Sequence, residues 1–165
     1  MKEAKFEDLF SEALEDLHDS ENQILKALPK MVAAASSEEL AQAFQEHLDQ
    51  TKEHVQRLQN VFEAMGVEPG GKPSAAMAGL LAEGDRLIGE LQKSPVLDAA
   101  LIGAAQRVEH YEIAGYRMAR ALAEVLGQLD AAELLQETLE EEEETDETLA
   151  DIAESILTGE NTLQE

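Results

Sequence analysis

The 165-residue chain has no cysteine and no tryptophan, and only 4% of its residues are aromatic. Without thiols there is no disulfide framework, no zinc–thiolate knuckle and no thiol nucleophile, so any bound metal must be held by His, Asp or Glu. Those donors suit Fe, Mn or Zn. Basic residues are also scarce: 12 Lys and Arg stand against 36 Asp and Glu, for a net charge of -24. Such a field repels phosphate backbones and anionic lipid while concentrating cations, which argues against nucleic-acid and membrane partners. No apolar run approaches the roughly 20 residues that a membrane span needs, and Met1 to Phe10 lacks the apolar segment of a signal peptide. A cytoplasmic location is expected.

What is present is an apolar content of 44%, enough for a core in one domain over 1–165. The apolar residues recur at helical spacing and nowhere alternate as a strand would, so the fold class is all-α. Five helices are expected: α1 about 6–35, α2 about 37–65, α3 about 74–92, α4 about 95–126 and α5 about 130–157. Pro29 predicts a kink or break in α1 near Ala27 and Leu28. Ser36 with Glu39, and Asp130 with Glu133, are expected capping boxes for α2 and α5, while Gly66 and Gly127 stop α2 and α4. Ser94 and Pro95 begin α4. Gly115 lies on the inward stripe of α4, where close packing is the reading that offsets its helix cost. Two long hairpins joined by about 30 residues, with the short α3 inside the connection, form the pattern of a ferritin-like four-helix bundle with a long crossover.

The inward stripes carry acid. Glu21 is flanked by Leu17, Ile24 and Leu25, and Glu112 by Val108, Gly115 and Ala119. Glu109 precedes Glu112 by three residues, and Glu142 precedes Asp146 by four, so each pair shares a helix face. An unpaired carboxylate in apolar surroundings costs several kcal/mol, and no Lys or Arg falls on these stripes beside the glutamates. Glu21, Glu109, Glu112, Glu142 and Asp146 carry five charges, which two divalent ions would nearly neutralise. Any one member of the run Glu140 to Glu144 would by default be solvated surface. With the α1–α2 turn at Ser36, Glu21 is level with Gln50 and Thr51, and His54 with His18. With the α4–α5 turn at Gln128, Glu112 is level with Thr145 and Glu109 with Thr148. His54 is compatible either with ligation or with a neutral core histidine; His47 falls about a turn off the expected level, His18 at a stripe edge, and His110 away from the core. Tyr111 and Tyr116 pack beside the acids, where a hydroxyl could bond a ligand carboxylate. No phosphate-binding glycine loop and no HExxH motif is present.

The segments LHDSENQILKALPKM, HLDQT, AAQRVEHYEIAGY and LLQETLEEEEETDETLADIA together resemble the YciE/YciF-type ferritin-like stress proteins of the rubrerythrin/ferritin-like superfamily, across about Phe6 to Ile156. The resemblance implies a cytoplasmic, rubrerythrin-like, usually dimeric bundle with a dinuclear metal site and a role in stress. It marks Glu21, Glu109, Glu112 and the Glu141, Glu142, Asp146 group as metal ligands. Ferritin-like di-iron proteins place a Glu followed three residues later by His on the second helix; here Gln50 is followed by Glu53, and Gln50 stands where the family often has Glu. The expected metal residues are therefore Glu21, Gln50, His54, Glu109, Glu112, Glu142 and Asp146, with His47 and Glu141 behind them. The expected cofactor is two Fe or Mn ions, serving oxidase or peroxide-consuming chemistry with O2 or peroxide in a homodimer. The alternative is a non-catalytic acidic scaffold or partner-binding bundle, in which the inward polar groups satisfy one another without metal.

Overall fold

The computed structural model describes residues 3–159. Its helices are α1 (Phe6–Ala34), α2 (Glu38–Met65), α3 (Ala75–Glu90), α4 (Pro95–Val125) and α5 (Leu129–Leu157), with no strand among the described residues. The long helices form a square in which α1 packs on α2 and α4, and α5 packs on α2 and α4. The crossover carries α3 onto the outer face of α1 and α4.

Two apolar clusters fill the interior. The lower one joins Phe10, Leu14 and Leu17 of α1 to Leu58 and Phe62 of α2, Tyr116 and Leu122 of α4, and Leu135 and Leu139 of α5. The upper one joins Ile24 and Leu28 to Leu40 and Phe44, Leu97 and Leu101, and Leu149 and Ile152, with Met77 of α3 inserted from outside. The start of one helix thus packs with the end of the next, so every neighbouring pair is antiparallel. Between the clusters lies a layer of buried polar side chains: Glu21, His47, Thr51, His54, Glu109, Glu112 and Glu142.

Local signals explain most of the boundaries. Ser74 and Ser94 cap α3 and α4 through Met77 N and Leu97 N, and Gly66 and Gly127 take left-handed φ values of 68° and 72° just past α2 and α4. A Cβ at Gly115 would come within 2.9 Å of Leu17 Cδ2, so this glycine lets α4 close on α1.

Two cap expectations fail, and of the kink or break expected at Pro29 the break does not occur. Pro29 does not break α1, which runs through it, because Leu28 and Met31 are held in the upper cluster on either side of the single lost hydrogen bond. The cap of α2 is Ser37, whose hydroxyl accepts from Leu40 N, not Ser36. Asp130 is not the cap of α5 either: the helix begins at Leu129, so Asp130 sits in its first turn, where its charge favours the helix dipole.

Ser36 is recruited elsewhere. Buried Asp98, in the first turn of α4, accepts from Ser36 N at 2.7 Å, Ser36 Oγ at 2.7 Å and Ser37 N at 2.9 Å. One carboxylate thereby ties the α1–α2 turn to α4. Charged hydrogen bonds contribute about 1.5–3 kcal/mol each and do not add fully, so Asp98→Ala is expected to lower the unfolding free energy by about 3 kcal/mol in urea titrations.

Candidate metal centre

Each of the four long helices contributes to the polar layer: α1 gives Glu21, α2 gives His47 and His54, α4 gives Glu109 and Glu112, and α5 gives Glu142. His47 and His54 are seven residues apart, two helical turns, and so face the same way. Their ring centroids lie 6.3 Å apart. His54 Nδ1 is 2.9 Å from Glu142 Oε1 and 3.3 Å from Glu21 Oε1. His47 Nε2 is 2.9 Å from Glu109 Oε1 and 3.9 Å from Glu142 Oε2. Two trios result, Glu21–His54–Glu142 and His47–Glu109–Glu142, each with donor atoms within 4.8 Å of one another. Glu142 belongs to both and turns one oxygen toward each.

The fit of this layer to cations rests on its unpartnered atoms. Both oxygens of Glu112 and of Glu142, Glu21 Oε2, Glu109 Oε2, His47 Nε2 and His54 Nδ1 are buried without a hydrogen bond. Buried polar atoms are nearly always paired, and a group of this size in one layer calls for shared counter-charge. The outer atoms, by contrast, are satisfied. Glu141 Oε2 sits 2.8 Å from His54 Nε2, and Glu141 is gripped by two 2.8 Å bonds from the Arg57 guanidinium. A carboxylate on Nε2–H leaves the Nδ1 lone pair turned inward, the arrangement that orients a ligating imidazole. Thr145 Oγ1 lies 3.5 Å from His47 Nδ1, on the side away from Glu109. Tyr116, buried beneath the layer, donates to Glu21 Oε1 at 2.6 Å.

The charges respond strongly to one another. Burial, then the neighbouring Glu21 and Glu142, pushes the Glu112 carboxyl well above its usual range; burial and Glu142 do the same to Glu109 against the pull of His47. Burial opposes a charge on His47, but Glu109 and Glu142 outweigh it and raise its pKa to about 9. Burial likewise opposes a charge on His54, and its bond to Glu141 with the Glu142 and Glu21 carboxylates close by carries it up to about 12. Burial also disfavours the charged form of Glu142, yet its contacts with Glu109, His47 and His54 hold it below the carboxylate range. The partners His54 and Arg57 bring Glu141 down to about 2 against a smaller opposing effect of burial.

Of the residues expected at the site, Glu21, His54, Glu109, Glu112 and Glu142 meet in the layer, and Glu141 supports it from outside. His47, expected a turn away, is a full member. The turn does centre on Ser36, between Ala34 and Glu38; what was misjudged is the inward face of α2, which carries His47, Thr51 and His54 at spacings of four and three and leaves Gln50 rotated about 100° from Thr51. Gln50 is the counterpart of that error: it lies at the layer's edge, its Oε1 3.4 Å from Thr145 Oγ1. Asp146 is not in the layer either, since its carboxylate meets Gln106 at 3.3 Å and exposed His110 at 3.1 Å. Arg57 was not anticipated: it lies beside the acids and pairs with Glu141, Glu137 and Glu53, but forms no ion pair with the core carboxylates. Its spacing of three from His54 was the available signal.

Two hairpins joined by a long crossover around a buried carboxylate–imidazole layer define a ferritin-like, all-α bundle. The chain belongs to the family described as DUF892, a domain of unknown function, which matches residues 5–161. It is 45% identical over 148 residues to protein YciF of Escherichia coli (strain K12), covering 89% of each chain. The crystal structure of that E. coli stress protein superposes with a TM-score of 0.92 at 42% identity, over 96% of this chain and 100% of the other. YcfI from Rhodopseudomonas palustris gives 0.86 at 41% identity, over 89% and 94%. A protein of Xanthomonas campestris pv. campestris shares the fold at a TM-score of 0.74 and 18% identity, over 94% of each chain.

The raised groups set a pH dependence for metal-free protein. A group whose pKa is higher folded than unfolded contributes stability that is complete below its unfolded value and lost as pH rises through its folded value. For His47 that window runs from about 6.5 to about 9, and His54, Glu109 and Glu112 act in the same direction. The melting temperature in chelator is therefore expected to fall between pH 6.5 and 9 in calorimetry; a rise over that interval would refute the assignment of protons to the layer.

Proposed function

We propose that the protein is a ferritin-like stress-response protein whose mid-height layer binds two iron or manganese ions and acts on O2 or peroxide, as a cytoplasmic homodimer. Glu112 carries the proposal: both of its oxygens are buried without any donor, between two trios that already share Glu142. Glu21, His54 and Glu142 would hold one ion and His47, Glu109 and Glu142 the other, with Glu112 free to reach either. The four carboxylates then offset the charge of two divalent ions while both imidazoles stay neutral. Carboxylate oxygen with imidazole nitrogen is a donor set suited to Fe and Mn. Two such ions, when bound with positions left open, supply electrons for the reduction of O2 or peroxide.

The remaining work falls to the chain. Tyr116 fixes Glu21 by holding Oε1, leaving Oε2 for a ligand. Arg57 and Glu141 fix the tautomer of His54. The apolar clusters above and below exclude water, so the charges in the layer act at low effective dielectric. Burial and the neighbouring carboxylates favour protons on Glu109 and Glu112 in the metal-free layer, and cations entering displace those protons, so affinity rises with pH.

A second reading has one observation in its favour. His47–Glu109 and His54–Glu142, each at 2.9 Å, could neutralise one another in a metal-free scaffold. Two imidazolium ions would balance Glu21 and Glu142 once Glu109 and Glu112 hold protons, so charge alone does not separate the readings; what the scaffold leaves unexplained is Glu112, whose two buried oxygens make no hydrogen bond. Metal content decides between the readings. Protein purified without a histidine tag should carry near two Fe or Mn per chain by plasma mass spectrometry, falling sharply in Glu112→Ala; no metal in either after iron loading would favour the scaffold.

A further inference from the structure

We infer that cations enter the layer through the cleft between α2 and α5, gated by the uncharged pair Gln50 and Thr145 and received first by His47; this rests on the metal-binding reading above. Several other approaches are closed. Apolar clusters close the bundle above and below. Across α1 and α4 the crossover is stitched down at Ser74, which donates from its N to Asp19 at 2.7 Å, accepts at its O from Gln23 at 3.1 Å, and meets the Tyr111 hydroxyl at 3.3 Å. Across α4 and α5, Asp146 binds Gln106 and His110, and Arg117 pairs with Glu143. Between α2 and α5 the lower half is shut beside His54 by Arg57 and Glu141.

The upper half of that seam is open. A cleft of about 90 Å3 is lined by Glu46, Gln50, Glu144 and Thr145, with His47 as its floor. A second space of about 20 Å3, lined mainly by apolar side chains of the upper cluster, also touches His47, Thr145 and Glu109. His47 is 5% exposed, and its Nε2 has no hydrogen-bond partner.

The gate is weakly latched. Thr145 has one hydroxyl hydrogen and two acceptors, Glu141 O at 3.0 Å and Gln50 Oε1 at 3.4 Å. The shorter bond claims the hydrogen, which leaves Gln50 free to swing. Exposed Glu46 and Glu144 draw cations to the mouth, whereas the amide at position 50 offers an oxygen without a charge that would trap the ion outside. From His47 and Glu109, Glu142 links onward to His54 and Glu21.

Stopped-flow uptake of Co(II), read by its visible absorption in the metal-free protein, tests the route. Gln50→Trp should fill the cleft and slow uptake by about tenfold or more with an unchanged final amount, and Glu46→Lys with Glu144→Lys should slow it at low ionic strength only. Wild-type rates in both variants would overturn the route while leaving the metal site intact. A lower final amount in Gln50→Trp would make Gln50 a ligand and overturn its role as gate. No Co(II) uptake by the wild type would overturn the metal reading itself.

Discussion

Desolvated carboxylate charge governs this bundle. Glu21, Glu109, Glu112 and Glu142 are withdrawn from water at one level, and each isolated charge there would cost several kcal/mol, a sum comparable to the stability of a whole domain. The layer is tolerable only with protons, imidazolium or metal inside it. Everything around it is arranged to hold that layer in place: the two apolar clusters supply the burial free energy and separate the layer from both ends of the bundle.

Position follows from the turns. The α1–α2 turn is tied by Asp98 to the start of α4, and the α4–α5 turn is set by Gly127, so both hairpins are registered to one another at their ends. A hairpin slip of one turn would put Gln50 where His47 or His54 now stands and remove an imidazole from a trio. Gly115 matters for the same reason: by admitting Leu17 it lets α1 and α4 approach closely just below Glu21 and Glu112.

The helices, their order and the crossover were legible because each long helix carries an apolar stripe and a chemically distinct end. Glu21 and Glu112 were legible because carboxylates interrupt those stripes. His47 and Gln50 were exchanged because level was weighed above helix phase: His47, Thr51 and His54 share the inward face of α2, and Gln50 is turned off it. Separately, two adjacent serines, Ser36 and Ser37, offered two caps where only one was used. The other serine was claimed by Asp98, a contact between residues 62 positions apart that no local pattern encodes. Asp146 was misplaced for a related reason: its spacing from Glu142 put both on one face, but His110 and Gln106 on the neighbouring helix drew it outward.

The acidic run on α5 makes the same point within five residues. Rotation of about 100° per residue sends consecutive glutamates in different directions, so identical side chains acquire different chemistry. Glu140 is exposed; Glu141 bonds Arg57 and His54; Glu142 is fully buried and common to both trios; Glu143 pairs with Arg117; Glu144 is exposed at the cleft. Composition alone reads this segment as solvated surface, and for Glu140 and Glu144 that holds. What separates Glu142 from them is the helix phase, fixed by Leu135, Leu139, Leu149 and Ile152 in the two clusters. Because those four leucine and isoleucine positions set the phase, apolar packing rather than electrostatics decides which single carboxylate of the run is carried into the layer.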